Sequence, residues 1–349
     1  MADGHCRLRI ALVAPVAQPV PPPRSGSIET LTALLANGLV DRGHDVTLFA
    51  TGGSKTKARL HAVYDKGYLE NPALWPWELC ELFNLAAALE RAASFDIVHA
   101  HAEYAPLSLA FSGLVRVPLV HTVHHLPSPP EAALWSRYAT APFIAVSHEQ
   151  ARALAGLRVA GVVHHAVETD GYQFREAPED YLLFLGRFTE GKGVLAAIDV
   201  AKRSGHRLLI AAAENDYYRE KVAPLVDGRQ VVYTGEVSHG EKVALLGGAR
   251  ALVYPVQAGE SFGLVLAEAA ACGTPVAALR CGAVSEIVED DVTGMVFDSV
   301  DDLVTGLPRV LALDRRAIRA RAVTRFGVDR MVEGHLSLYA ALIAAAANS

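Results

Sequence analysis

The sequence predicts an α/β protein of two domains, each a parallel sheet flanked by helices, and three observations predict it. The length of 349 residues is enough for two ordinary cores. Short apolar runs of strand length alternate with longer stretches of helical period. That alternation lapses once, over 168–179, into polar, charged and Pro-containing sequence that reads as a linker. Strand and helix in turn imply parallel pairing, because the intervening helix returns the chain to start the next strand in the same direction. With 51% hydrophobic and 20% charged residues the chain has the composition of a folded enzyme, not of a disordered or fibrous one.

Taken in order, 8–15 is an apolar strand, 28–42 a helix closed by Gly43, and 45–50 the next strand. The pattern continues with a helix over 84–93, a strand over 96–100, a helix over 104–114 and strands over 118–121 and 143–147, then a short helix over 149–156. A second series opens with a strand at 181–186 and a helix at 191–204. It proceeds through 207–211, 217–225, 231–234, 241–247 and 251–255 to a helix after Gly263 that stops at Gly273-Thr274-Pro275, and ends with 275–278 and 285–288. The domains are therefore expected at 1–168 and 169–349. In open α/β sheets ligands bind beyond the carboxyl ends of strands, so a cleft between the domains is the expected site.

Charge and cysteine usage narrow the class. With 38 acidic residues against 32 Lys and Arg the net charge is −6, which offers no basic field for a nucleic-acid backbone. The Arg-rich stretch 315–325 alternates with Ala, Ile and Val and reads as a solvated or lipid-facing helix side. Cys6, Cys80, Cys272 and Cys281 lack metal-type spacing and fit a reduced, cytoplasmic setting. The apolar run at the N-terminus is too short for a membrane span. Peripheral contact with a membrane face is compatible with the composition, and so is a monomer or a homodimer.

The stretch 259–268, Gly-Glu-Ser-Phe-Gly-Leu-Val-Leu-Ala-Glu, is the most informative. It puts Glu260 in a loop and Glu268 in the helix that follows, on either side of a helix start whose free N–H groups favour an anion. Carboxylates beside an anion site suit a ligand made mostly of hydroxyls with phosphate attached, such as a nucleotide sugar. The segment 186–193, Gly-Arg-Phe-Thr-Glu-Gly-Lys-Gly, follows a strand and brings Arg187 and Lys192 to its end, where the pair can clamp a diphosphate. It is neither a nucleoside-triphosphate loop nor a dinucleotide fingerprint. Histidines at 121, 124 and 125, and at 99 and 101, stand at strand ends, where a neutral imidazole can serve a reacting hydroxyl; if the strand persisted, alternation would turn His121 and His125 to one side. No metal-binding helix pattern accompanies them. Gly26 opens the first helix after a proline-rich loop and can approach a phosphate, with Glu29 a favourable first-turn acid. Tyr64, Tyr68, Trp75 and Trp77 form either core or a sugar-stacking or lipid-facing surface.

With these segments in place, the chain resembles the retaining glycosyltransferases of the large bacterial family 4 (GT4). The resemblance rests on Gly186-Arg187 with Lys192-Gly193, on Glu260-x7-Glu268 with Gly273-Thr274-Pro275, and on 282–289 with Thr293-Gly294. It implies the GT-B fold, two facing Rossmann-like domains with an interdomain cleft, and a last helix, 328–346, that crosses back to the first domain. It implies that Arg187 and Lys192 hold the donor pyrophosphate, that Glu268 accepts from ribose hydroxyls and that Glu260 lies near the transferred sugar. The amides of Phe262, Gly263 and Leu264 would touch sugar and phosphate, Gly26 would close over the phosphates, and the base would rest near Tyr233 and Val237. His124 matches the family's active-site histidine. No metal and no resident cofactor are implied. The donor is a nucleoside-diphosphate sugar, with UDP and glucose the commonest base and sugar among such relatives, and the acceptor is a small molecule, saccharide or glycolipid. The chain departs from the family at Gly26-Ser27, at His165-Ala166 and at Ser261. An epimerase or phosphorylase on the same fold, or a non-catalytic sugar-nucleotide binder, are the alternative readings.

Overall fold

A computed structural model describes residues 7–24, 26–101 and 105–348. Cys6, Ser25 and the first residue of the expected helix 104–114 lie outside the described residues. The chain divides into two compact units, one made of Met1–His165 with Val328–Ser349 and the other of Ala166–Gly327.

The first unit runs β1 Arg9–Val13, α1 Ser27–Asp41, β2 Asp45–Phe49, β3 Arg59–His61, α2 Trp77–Leu89, β4 Ile97–Ala100, α3 Ala105–Leu109, β5 Leu119–Thr122, α4 Pro129–Trp135, β6 Pro142–Ala145, α5 His148–Ala153 and β7 Arg158–Val162. Its strands form a parallel sheet of order β3-β2-β1-β4-β5-β6-β7. The central strands are buried along nearly their whole length, which is why they read as unbroken apolar runs rather than alternating ones.

The second unit runs β8 Leu182–Leu185, α6 Val194–Ser204, β9 Leu208–Ala211, β10 Val231–Gly235, α7 His239–Gly248, β11 Ala251–Tyr254, α8 Leu264–Ala271, β12 Val276–Leu279, α9 Val284–Ile287, β13 Gly294–Phe297, α10 Val300–Leu311 and α11 Arg315–Phe326. Its parallel sheet has the order β10-β9-β8-β11-β12-β13. The order reverses between β8 and β11, which makes the carboxyl ends of these two strands the switch point where open sheets of this kind bind ligands. The closing helix α12, Val328–Ala347, belongs to the first unit, where Val332 occupies the space that a Cβ on Gly38 of α1 would need.

Several elements differ from expectation. The stretch 217–225 is a single π-turn, Tyr218–Val222, followed by the 3-10 turn Ala223–Leu225, because Pro224 supplies no N–H to continue a helix. Strands β3, β7 and β13 and helices α4 and α10 were not anticipated. The signal for α4 is present in the chain: Ser128 and Glu131 form a reciprocal capping box at its start.

The Arg-rich stretch is a solvated face only in part, since Arg316 and Arg321 are exposed while Arg315, Arg319 and Arg325 turn inward. Within α11, Arg315 is buried and donates to the carbonyl oxygens of Gly247 at 2.7 Å, Ala249 at 2.9 Å and Arg175 at 2.8 Å, and to Thr274 Oγ1 at 3.0 Å. Arg319 donates to the carbonyls of Thr169, Tyr172 and Ala271, and Arg325 to those of Glu286 and Ile287. The acceptors at 247, 271 and 286–287 are the C-terminal carbonyls of α7, α8 and α9. These helix ends lack intrahelical donors and carry a negative dipole end, and guanidinium groups supply both the donors and the charge. Arg316 and Arg321 face outward and pair with Glu176 and Glu289. Among the described residues no helix is long and apolar enough to cross a membrane.

Candidate active site

The site at the β8/β11 switch point is built from the two segments singled out in the sequence. After β8 the chain passes exposed Arg187, makes the 3-10 turn Glu190–Lys192 and enters α6 through Gly193. Gly193 has φ +73°, and a Cβ there would stand 2.0 Å from the carbonyl oxygen of Pro255, so only glycine lets the two loops approach. The N–H groups of Gln257 and Ala258 donate to Gly191 O at 2.8 and 3.2 Å, and Asn215 donates to Phe188 O at 2.8 Å. The loop holding Lys192 is thereby laced to the loop holding Glu260.

Both carboxylates are buried, and each is gripped in the same way. Glu260 Oε2 accepts from Lys192 Nζ at 2.6 Å and from the Tyr254 hydroxyl, while its Oε1 takes a long bond of 3.4 Å from the Phe262 N–H. Glu268 Oε1 accepts from Lys242 Nζ at 2.6 Å and from the Tyr172 hydroxyl at 2.7 Å. In each case a lysine and a tyrosine converge on one oxygen, and the ammonium also lies near the tyrosine ring, at 5.7 Å for Lys192 and 5.8 Å for Lys242. Glu268 Oε2 takes no hydrogen bond from a described residue and remains available as an acceptor. Burial alone would raise the Glu260 carboxyl; the Lys192 charge and the bonds from Lys192, Tyr254 and the Phe262 N–H outweigh it and hold the group below its ordinary value. Burial and then the neighbouring carboxylate push the Tyr254 and Tyr172 phenols well up, so both act as neutral donors. Arg187 makes no hydrogen bond or ion pair among the described residues, and its charge reaches Tyr254.

Gly263 caps α8 with φ +82°, and its N–H and that of Leu264 have no acceptor among the described residues. The helix start thus keeps donors for an anion beside Glu260. Tyr233, in the middle of β10, packs at a tilt against Tyr218 with ring centroids 4.2 Å apart and donates its hydroxyl to Ala212 O at 2.9 Å, with Phe188 at 5.8 Å. Val237 lies partly buried in the short loop between β10 and α7.

In the first unit the histidines separate. His121 and His125 do not share a face, because β5 ends at Thr122: His121 is buried against Ser108, 2.8 Å away, and His125 turns outward to Glu131 at 3.1 Å. His124 is partly buried between His101 and His165, 3.3 and 3.4 Å from its two ring nitrogens. Gly26 is close-packed, since a Cβ there would meet Gln18, Glu29 and Pro22 within 2.8 Å. Glu29 stands in the first turn of α1, as expected, and is buried at 5% exposure. Trp75 is 76% exposed, while Tyr68 and Trp77 contact each other.

Sequence reasoning did not find Tyr254, Tyr172 or Lys242. Tyr254 had a positional signal, as the last residue of a strand at the switch point; the other two lie 96 and 26 residues from Glu268 and belong to no motif. Gly282 entered only as the first residue of the 282–289 motif, with no role of its own. It has φ +52°, and its Cβ would stand 2.2 Å from the carbonyl oxygen of Glu260. Gly282→Ala is expected to displace Glu260 and lower turnover at least tenfold, with the loss appearing in kcat more than in donor KM; unchanged steady-state kinetics would show that Glu260 tolerates the shift.

Among the described residues no His, Cys, Asp or Glu side chains group as metal ligands would. Two family models match the chain. One, described as Glycosyltransferase Family 4, covers residues 28–170, and the other, Glycosyl transferases group 1, covers 172–324. Among curated proteins the chain is 28% identical over 402 residues to a D-inositol 3-phosphate glycosyltransferase of Mycobacterium avium (strain 104), covering 95% of this chain and 93% of that one. Among solved structures it is similar to AviGT4, a glycosyltransferase involved in avilamycin A biosynthesis, with a TM-score of 0.73 and 25% identity over 97% of this chain and 98% of that one. It shares its fold with Anabaena HepE, solved in complex with UDP and glucose, with a TM-score of 0.73 at 18% identity over 96% of this chain and 100% of that one.

Proposed function

The chain is a GT-B-fold glycosyltransferase related to the family 4 and group 1 glycosyltransferases, and on that premise we propose that it transfers a hexose, glucose in the first instance, from a UDP-sugar to an acceptor hydroxyl with retention of configuration and without a metal. The observation that carries this reading is the side-chain cluster at the switch point of the second unit. Two buried carboxylates, each with a lysine and a tyrosine on one oxygen, stand beside the exposed Arg187 guanidinium and the open N–H groups of α8.

In this reading Arg187 and Lys192 hold the pyrophosphate and offset the charge that grows on it as the glycosidic bond breaks. Lys192 is held in place before the reaction by Glu260 and Tyr254 and reorganises little during it, which is where electrostatic stabilisation is most effective, while the exposed Arg187 is free to close on the phosphate. Glu268 turns its open Oε2 to the ribose hydroxyls, and Glu260 orients a hydroxyl of the transferred sugar. The N–H groups of Gly263 and Leu264 add donors to the phosphate, the base packs near Tyr233 and Val237, and Gly26 is assigned to the phosphates as well. The acceptor oxygen attacks from the face the diphosphate leaves, and the departing phosphate oxygen takes its proton, which preserves the anomeric configuration. His124 is assigned to the reacting sugar.

The test is to incubate the purified protein with a panel of nucleotide sugars and acceptors, including D-inositol 3-phosphate, and to follow diphosphate release. UDP-glucose is expected to give the fastest release, with a chelator leaving the rate unchanged; no release and no binding with any donor would end the transferase reading. Arg187→Ala is expected to cost about a hundredfold in kcat/KM, and full turnover in that variant would remove Arg187 from the clamp.

A further inference from the structure

The first unit contains a row of buried imidazoles that runs from α12 to His124. Tyr339, on α12, is fully buried, and its hydroxyl lies 2.6 Å from His99 Nδ1. His99 Nε2 lies 2.8 Å from Thr122 Oγ1. His99 Nδ1 also faces His101 Nε2 at 3.1 Å; His101 Nδ1 faces His124 Nε2 at 3.3 Å; His124 Nδ1 faces His165 Nε2 at 3.4 Å. A cavity of about 10 Å³ lies alongside, bordered by His101, Thr122, His124, His165 and His335, and has room for one water at most. His335 packs beside His99 and hydrogen-bonds to Met331 O through Nδ1, at 2.8 Å.

A neutral imidazole carries one N–H and one bare nitrogen, so a row of them admits two polarities only. The far end decides between them. The Tyr339 O–H is buried, and its one partner among the described residues is His99 Nδ1, so it donates there and Nδ1 is bare. His99 then carries its proton on Nε2 and donates to Thr122. Two bare nitrogens do not face each other at hydrogen-bond distance, so His101 carries its proton on Nε2 and shares the single lone pair of His99 Nδ1 with the Tyr339 hydroxyl in a three-centre bond, the longer arm being its own; by the same step His124 and His165 carry theirs on Nε2.

We propose that His101 and His165 are positioning residues for His124, fixing its ring plane and holding it as the Nε2–H tautomer, with the polarity of the row set by Tyr339 on the C-terminal helix. The proposal rests on the reading that His124 serves the reaction. Burial, reinforced by the neighbouring imidazoles, holds His99, His101 and His165 well below the usual histidine range, and burial lowers His124 to about 3. Every ring in the row is therefore neutral at physiological pH, the condition the polarity argument needs. The bonds to His124 are long, so a substrate hydroxyl can exchange for one of them while the other keeps the ring in place.

The tautomer is read directly from long-range proton–nitrogen correlation spectra of the full-length protein labelled at histidine. A protonated Nε2 and bare Nδ1 at His124 in the wild type, with a mixed pattern in Tyr339→Phe, are expected; a protonated Nδ1 at His124 would overturn the proposal without any variant having to fold. His165→Ala is expected to lower kcat about tenfold with donor KM unchanged. His165→Gln, whose amide N–H sits where Nε2–H was, should recover most of the loss. A His165→Ala variant with wild-type kcat, or a His165→Gln no better than Ala, would also overturn it. Failure of the reading beneath looks different: His124→Ala would turn over normally while the wild-type tautomer pattern stood as described.

Discussion

Lys192→Ala is expected to lower kcat/KM by about a thousandfold and to destabilise the second unit by about 3 kcal/mol. Two effects combine. The substitution removes a positive charge from the proposed clamp, and it leaves Glu260, 8% exposed, without the ammonium 2.6 Å from its Oε2. Because the Glu260 carboxyl is held below its ordinary value of 4.5, the pair stabilises the fold above that pH, and its contribution is lost as pH falls through the folded-state value. In Lys192→Ala burial raises the carboxyl above its ordinary value instead, so the buried charge destabilises the fold at neutral pH and the penalty is relieved, not increased, as pH falls. Adding Glu260→Gln separates the effects: the double variant should regain much of the stability measured by denaturant unfolding and none of the turnover. Turnover restored along with stability would mean that Lys192 serves only to neutralise Glu260.

Arg315→Ala is expected to destabilise the second unit by about 3–5 kcal/mol while leaving the rate at low temperature close to wild type. Arg315 satisfies three carbonyl oxygens and the Thr274 hydroxyl. Alanine in its place leaves several of these acceptors without a donor in a region that water does not reach, at the C-terminal end of α7. Arg315→Lys should recover only part of the loss, since an ammonium radiates from one point and cannot span acceptors that a planar fork reaches together. Urea unfolding checks both variants. A change below about 1 kcal/mol for Arg315→Ala would mean that the helix end is solvated in its absence.

What was legible in the sequence followed from local rules. Strands β1, β4, β8 and β11 are short apolar runs with a turn residue or charge after them, and they stand where the runs placed them. Glu260, Glu268, Arg187 and Lys192 were found because each sits just past a strand or in the first turns of a helix, where the chain itself announces a binding edge. The rest depends on contacts between distant segments. Nothing in the sequence around Tyr172 links it to Glu268, and the arginines of α11 looked like a polar helix face because their acceptors are backbone carbonyls, which leave no trace in sequence. The segment 217–225 was legible as an element but not as a π-turn, whose wider hydrogen-bonded ring leaves no spacing signal of its own. The row of imidazoles is the extreme case, since it is assembled from β4, β5, the segment after β7 and α12.

That last helix has a consequence for how the molecule is made. The second unit is one continuous segment, Ala166–Gly327, and contains all of its own strands. The first unit is not continuous: His99 waits for Tyr339, 240 residues later, and Arg42 for Asp329, 287 residues later. A nascent chain emerging from the ribosome can therefore close the core of the later segment before that of the earlier one. Until the final twenty or so residues appear, the opening half presents an uncovered apolar seam where Met331, Val332 and Leu336 belong. Contacts of such long separation carry a large loop-closure cost, so the half that is synthesised first is the half that is finished last.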